Sequence, residues 1–415
     1  MLRQFSRQEK SWIMYDWANS AYSTIITAAI LPVFFQAIAV SDGLSETRAA
    51  SFWGYATSAS ALCMAVMAPV LGGLANFKGL KMKLFCAFFS IGVVTTAAMF
   101  FPMGWQPLLF LYAASFVGWS GSALFYDTFL VDVTTGDRAD KVSSFGFGMG
   151  YIGGSTIPFV LSIALVQFGD RFGVDGSLAA RISFLMAAVW WAVFSIPFIR
   201  DVKQVFSEPR RKGAVAASLR GVWEILKSIR QYEGIFVFLL AYFFYIDGVN
   251  TVIHMATIYG ATVGLDAGMM IVMLLVLQII AFPFAILYGS LAKRFGGAVM
   301  IFAGIITYCV ICLIGFVMTE AWQFWVLAAL VGSAQGGIQA ISRSYFVKLV
   351  PTEKANAFFG FYDIFGKFAS ILGPFLFGIS AEIWGARYGV LSLLVLFILG
   401  GGIFIRAHKL NRKVA

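Results

Sequence analysis

The sequence predicts an all-α integral membrane protein of twelve transmembrane helices in two pseudo-symmetric six-helix bundles, and three observations predict it. Of 415 residues, 60% are hydrophobic and only 12% are charged, where a soluble domain carries roughly a quarter charged residues because its surface faces water. The apolar runs are long and unbroken, whereas a transmembrane barrel alternates in strands of about ten residues. Two motifs also recur at nearly one spacing, the mark of a duplicated half.

A spanning helix needs about 20 apolar residues. Runs and breakers predict helices near 12–40, 51–74, 84–102, 106–131, 144–168 and 182–199, then near 234–259, 267–289, 297–318, 322–342, 357–384 and 386–406. These leave no room for a large soluble domain. The one long connection, 200–233, holds Arg200, Lys203, Arg210, Arg211, Lys212, Arg220, Lys227 and Arg230. The expected organisation is therefore a bundle at 1–199, a basic linker at 200–233 and a second bundle at 234–415. Within the linker, Leu219, Val222, Trp223, Leu226 and Ile229 recur at helical spacing opposite Arg220, Glu224, Lys227 and Arg230. That pattern fits an interfacial amphipathic helix and equally a solvated helix packed on the bundle ends.

The net charge of +10 reflects topology rather than a nucleic-acid partner. Twelve spans place 25 of the 30 basic residues, Lys78, Lys81 and Lys83 among them, on the side of both termini. Arg48, Arg171, Arg181 and Arg387 lie on the other, and Lys367 falls inside a helix. The positive-inside rule then makes both termini cytoplasmic. The first apolar run is too long for a signal peptide and contains Asp16. Cys63, Cys86, Cys309 and Cys312 all lie inside apolar runs, which argues for packing over a disulfide framework or a loop metal site.

The repeat is explicit. G-x-L-A-x-x-x-G begins at Gly72 and again at Gly289, 217 residues apart, while Gly150 and Pro158-Phe159 match Gly366 and Pro374-Phe375 at an offset of 216. An even number of helices per half leaves the halves parallel, one of the architectures of secondary transporters.

The G-x-L-A-x-x-x-G loops resemble the signature loop of the major facilitator superfamily. YDWANSAY from Tyr15, FGMGYIGGS from Phe147, QAISRSYF from Gln339 and FFGFYDIFGKFASILGP from Phe358 resemble its bacterial branch related to the vacuolar amino-acid effluxers of autophagy. The superfamily's loop usually carries an acidic residue where this chain has Asn76 and Lys293. The resemblance implies the major facilitator fold in a bacterial inner membrane and export of an amino acid or similar small zwitterion by alternating access. The expected partners are that solute, the lipid bilayer and a proton as candidate coupling ion; the expected state is a monomer without cofactor. Within transport the alternative is an amphiphilic, lipid-like substrate moved as by a flippase. The alternative class is an intramembrane enzyme or a non-transporting sensor. No G-x-x-x-x-G-K-[ST] and no H-E-x-x-H occur, which argues against an ATP-driven motor and a metalloprotease.

An ionisable group in hydrocarbon is costly unless it is paired or faces a cavity, so such residues are functional candidates. Asp247, Asn250 and His254 fall at i, i+3 and i+7 of the seventh helix, one polar stripe, with Asp247 about 20 Å from the cytoplasmic end at 1.5 Å per residue. No opposite charge lies within four residues of Asp247, so it is the first candidate for proton coupling; a hydrogen bond to a neighbouring helix is the plainer role. Asp363 and Lys367, at i and i+4 of the eleventh helix, form either a pair that opens during coupling or a static one. Asp16 and Asn19 of the first helix repeat D-x-x-N at a shallower depth. Gln335 and Gln339 share a face of the tenth helix and are candidates to line the path. Asp127 and Arg343 occupy equivalent positions in the two halves, where they form an inter-half gate or cap their own helices.

Overall fold

The computed structural model describes residues 4–209, 213–227, 230–262 and 267–412. Arg210, Arg211, Lys212 and Ile229 of the linker lie outside the described residues. Twelve described helices are long and apolar enough to cross a membrane. The first six are Arg7–Ser41, Ser51–Ala75, Leu80–Ala98, Trp105–Val133, Gly136–Phe172 and Gly176–Asp201. The next six are Glu233–Ala256, Val272–Phe295, Gly297–Val317, Trp322–Leu349, Thr352–Trp384 and Ala386–Asn411. The chain is thus a multi-pass all-α membrane protein. The fifth span begins earlier than its apolar run because the polar residues of its first turns have partners. Asp140 there accepts from Ser344 Oγ at 2.6 Å and pairs with Lys348 Nζ at 2.5 Å.

The chain falls into two compact units: Met1–Val133 with Met149–Ser218, and Thr134–Gly148 with Leu219–Ala415. The expected division was simpler. The first turns of the fifth span group with the second unit, and the linker divides inside its helix Ala214–Lys227. On that helix Leu219 and Trp223 are both exposed, and Ser218 Oγ donates to the carbonyl of Val70 at 2.7 Å.

The first unit is held by interlocked aromatic rings, several with their polar tips paired. Trp12 stacks on Tyr126 at 4.4 Å and donates its indole N–H to that residue's carbonyl. Tyr15 packs against Tyr126 and bonds Ser122, while Tyr22 bonds Ser115. Such pairing offsets the cost of a polar group in a medium without water. Lys81, expected among the loop cations, is instead fully buried, its Nζ 2.6 Å from Asp132 and 3.2 Å from the carbonyl of Thr128. The other carboxylate oxygen of Asp132 accepts from the N–H groups of Val205 and Phe206 at 2.8 and 2.9 Å. A buried ion pair survives when its remaining valences are used in this way.

The two signature loops close on the same device. Gly79 and Gly296 occupy the last motif position of each, and both adopt left-handed φ, 72° and 88°. Each precedes the first residue of the next helix, a turn that only glycine makes without strain. The tight approaches nearby differ by one position. A Cβ on Gly73 would meet Ser218 Oγ at 2.1 Å, and one on Gly289 would meet Ser144 Cβ at 2.6 Å.

Candidate functional site

The eleventh span is two helices, Ala355–Phe368 and Leu372–Trp384, with residues 369–371 between them near the middle of the span. Pro374 explains the interruption. It lacks an N–H, and its ring clashes with the carbonyl four residues earlier, that of Ser370, if the helix continues. Three residues past the break it sits instead in the first turn of the new helix, where proline is tolerated. The break frees carbonyls on one side and N–H groups on the other, and hydrocarbon satisfies neither.

The seventh span satisfies both. Asn250 Nδ2 donates to the carbonyl of Ala369 at 2.8 Å and to Ser370 Oγ at 3.2 Å. One turn earlier, Asp247 Oδ2 accepts from the N–H of Leu372 and Oδ1 from that of Gly373, each at 3.0 Å. The D-x-x-N spacing therefore places an acceptor on the N-terminus of one half-helix and a donor on the C-terminus of the other. The positive end of the helix dipole adds to the hold on a carboxylate. Thr251 bonds the carbonyl of Asp247 at 2.7 Å and steadies the turn. Asp247 is fully buried. Gly373 completes the clamp, since a Cβ there would lie 1.9 Å from Thr251 Oγ1 and 2.8 Å from Asp247 Oδ1. Only a bare backbone lets the carboxylate reach the helix end.

Asp363 and Lys367 form a half-buried ion pair on the first half-helix. Beside it, Tyr242 of the seventh span stacks on Tyr362 at 4.3 Å, which ties the half-helix to the same partner that holds the break. His254, third in the polar stripe, is exposed and makes no hydrogen bond among the described residues, so the stripe does not act as one unit.

The first span's D-x-x-N does something else. Asp16 Oδ2 accepts from Tyr126 Oη at 2.7 Å, while the side-chain Oδ1 of Asn19 is buried without a partner among the described residues. Arg343 donates to Ser143 Oγ at 2.9 Å and to its carbonyl at 3.3 Å, and lies 4.5 Å over the ring of Phe147. Those partners belong to its own unit. Asp127 lies in the other unit. Gln335 lines an apolar cavity inside the second unit, and Gln339 is half-buried one turn on. The sequence reading passed over Gly373 and Thr251. A glycine immediately before a proline and a threonine four residues after a buried acid were the signals available.

Comparison with known proteins agrees with this architecture. Residues 130–413 match the family described as Vacuole effluxer Atg22 like. The uncharacterized MFS-type transporter YxiO of Bacillus subtilis is 46% identical over 405 residues, covering 96% of this chain and 94% of that protein. Autophagy-related protein 22 of Yarrowia lipolytica is 24% identical over 297 residues; the match covers 64% of this chain and about half of that relative's length, 50%. Among solved structures, the human organic anion transporter MFSD10 superposes with a TM-score of 0.74 at 12% identity, over 96% of this chain and 99% of that one. The proton:xylose symporter XylE gives 0.69 at 14% identity, over 96% and 95%. The chain belongs to the Atg22-like effluxer family of the major facilitator superfamily, a family of transporters and not of enzymes.

Proposed function

We propose that this protein exports a small zwitterionic solute of the amino-acid class by alternating access, coupled to protons through Asp247. The observation that carries the reading is the broken eleventh helix held by Asp247 and Asn250. Discontinuous helices at mid-membrane are where secondary transporters bind anionic groups and coupling ions, because half-helix ends present unpaired amides and carbonyls. Here an internal carboxylate occupies the amide end. A substrate carboxylate competes for the same N–H groups, and protonation of Asp247 weakens its hold, since a protonated carboxyl turns one acceptor into a donor. Binding of solute and binding of a proton thus bear on one contact. Asp363 and Lys367, both within two turns of the break, supply a cation that a departing or arriving carboxylate can use.

The names of the relatives support the direction: the family is described as vacuole effluxers. The lopsided basic residues support cytoplasmic termini in a bacterial cell membrane. The two signature loops, each ending on a glycine of positive φ directly before the next helix, support descent from a duplicated half. Asp127 and Arg343 are proposed as gate residues on their equivalent positions in the two halves.

Transport is tested with proteoliposomes containing only this protein and loaded with a labelled amino-acid mixture. Efflux above that of protein-free vesicles is the expected result, and efflux no faster than theirs overturns the substrate class. Topology is tested by a single cysteine at Lys203 in a cysteine-free background. An impermeant maleimide added to intact cells is expected to leave it unlabelled, and labelling without lysis contradicts cytoplasmic placement.

A further inference from the structure

The linker helix Ala214–Lys227 joins a span that ends at Asp201 to one that begins at Glu233, so it lies on one face of the membrane. Its depth is set by its seat. Ser218 is buried and donates to the carbonyl of Val70 at 2.7 Å, and a Cβ on Gly73 would meet its Oγ at 2.1 Å. Both seat residues precede Ala75, the last residue of the second span, and Val70 lies about 7.5 Å short of that end at 1.5 Å per residue. The linker helix therefore touches the side of a spanning helix and not its tip. Val70 and Gly73 continue the stripe on which Leu62 and Val66 are exposed, at three- and four-residue spacings that share one helix face.

At about 100° per residue, the described side chains that follow the seat around the linker helix run Leu219, Trp223, Ala216, Lys227, Arg220 and Glu224. All six are exposed, Leu219 at 52% and Trp223 at 58%. An apolar strip thus separates the seat on the protein from a cationic edge. Lys227 Nζ lies 5.6 Å over the ring of Trp223, within the range of a cation–π contact. Water gives such a strip no stabilisation, whereas a bilayer surface takes leucine among its acyl chains and the indole at headgroup level, and long cationic side chains reach the phosphates. Charge selects an anionic surface. Residues 203–230 hold seven basic and two acidic residues, and anionic lipids attract such a segment within a Debye length. A soluble partner would have to displace lipid to reach a strip seated at the depth of Val70.

We infer that the linker helix is an interfacial anchor for anionic phospholipid, in which Leu219 and Trp223 enter the acyl boundary while Arg220 and Lys227 bind headgroup phosphates. The inference concerns a surface that takes no part in the proposed coupling site, and its test reads immersion alone. Either reading can fail while the other stands.

The test places a nitroxide label at Leu219→Cys, Trp223→Cys or Glu224→Cys of the cysteine-free full chain, in vesicles of phosphatidylcholine with phosphatidylglycerol as the minor component. Power-saturation EPR then compares collisions with oxygen, which dissolves in acyl chains, and with a neutral nickel chelate, which stays in water. Labels at 219 and 223 are expected to meet oxygen more than nickel, and the label at 224 the reverse. In phosphatidylcholine alone, nickel access at 223 is expected to rise about twofold, and Arg220→Gln with Lys227→Gln is expected to remove that dependence on the anionic lipid. Nickel access at 219 and 223 equal to that at 224 describes a solvated helix and overturns the proposal. So does exclusion of both reagents from 219 and 223, the mark of a protein-covered face. Immersion indifferent to phosphatidylglycerol overturns the anionic headgroup as the partner. Gel filtration identifies which labelled variants are folded; if one apolar position does not tolerate its label, the other decides.

Discussion

The fifth and eleventh spans start from the same sequence problem and solve it differently. Each has a glycine eight residues before a Pro-Phe pair, Gly150 before Pro158 and Gly366 before Pro374, and each proline removes a helical hydrogen bond near mid-span. In the fifth span the chain stays helical by widening to a π-helix over Gly150–Thr156. In the eleventh it breaks. The difference lies in the partner helix. The first span presses its backbone and rings onto the fifth: Cβ atoms on Gly150 and Gly154 would lie 2.5 Å from the Ser20 side chain, and one on Gly153 would lie 1.8 Å from the ring of Trp17. Glycines make that approach possible, and the π-turn keeps the backbone bonded to itself, as such turns do at functional positions. The seventh span instead offers Asp247 and Asn250, and polar side chains take over the bonds the eleventh gives up. A proline forces a disruption; the neighbour decides whether it is absorbed or opened.

Point substitutions on the broken and widened helices and their partners test this contrast. The largest effect is expected from Gly373→Ala. The new methyl displaces Thr251 and the Asp247 carboxylate, leaving a buried charge and two amides unpaired, a loss of about 3 kcal/mol that lowers the thermal midpoint and ends solute exchange in proteoliposomes. Unchanged unfolding with full exchange would mean that the carboxylate does not hold the helix end. Gly153→Ala comes next. Trp17 must move, at a cost of about 2 kcal/mol typical of overpacking, and the smaller first-span variant Trp17→Ala is expected to restore part of it. If the double variant is no more stable than Gly153→Ala, the close approach is not what the glycine serves. Asn250→Ala is the mildest, costing about 1 kcal/mol because the Ala369 carbonyl still accepts from Ser370 Oγ; a calorimetric shift larger than that of Gly373→Ala would reverse the ranking.

The twelve spans and the pairing of Asp247 with Asn250 on one face were legible because burying backbone and charge in hydrocarbon leaves strong marks on composition. Asp247 and Asn250 stood out in an apolar run, and D-x-x-N gave their shared face. The break itself was not legible. Pro69, Pro197 and Pro283 lie inside continuous helices of the same chain, so Pro374 carried no sign of its different outcome, which depends on side chains more than a hundred residues away. The same distance hid the Lys81–Asp132 pair, 51 residues apart, and the Lys348–Asp140 pair, 208 apart. Lys81 reads as a loop cation because sequence reports that a charge lies near a helix end and not which way it turns.

The most direct test of the coupling claim is proton movement in proteoliposomes carrying Asp247→Asn, followed with a pH dye trapped inside while an amino-acid mixture is added outside. Asparagine keeps the size and one acceptor of the carboxylate and removes the group that titrates. The unmodified protein is expected to move protons with solute, and the variant is expected to move none while still exchanging labelled amino acids across the membrane. Solute-dependent proton movement of undiminished size in the variant, abolished by a proton ionophore, would contradict the account and leave Asp247 as a helix cap alone.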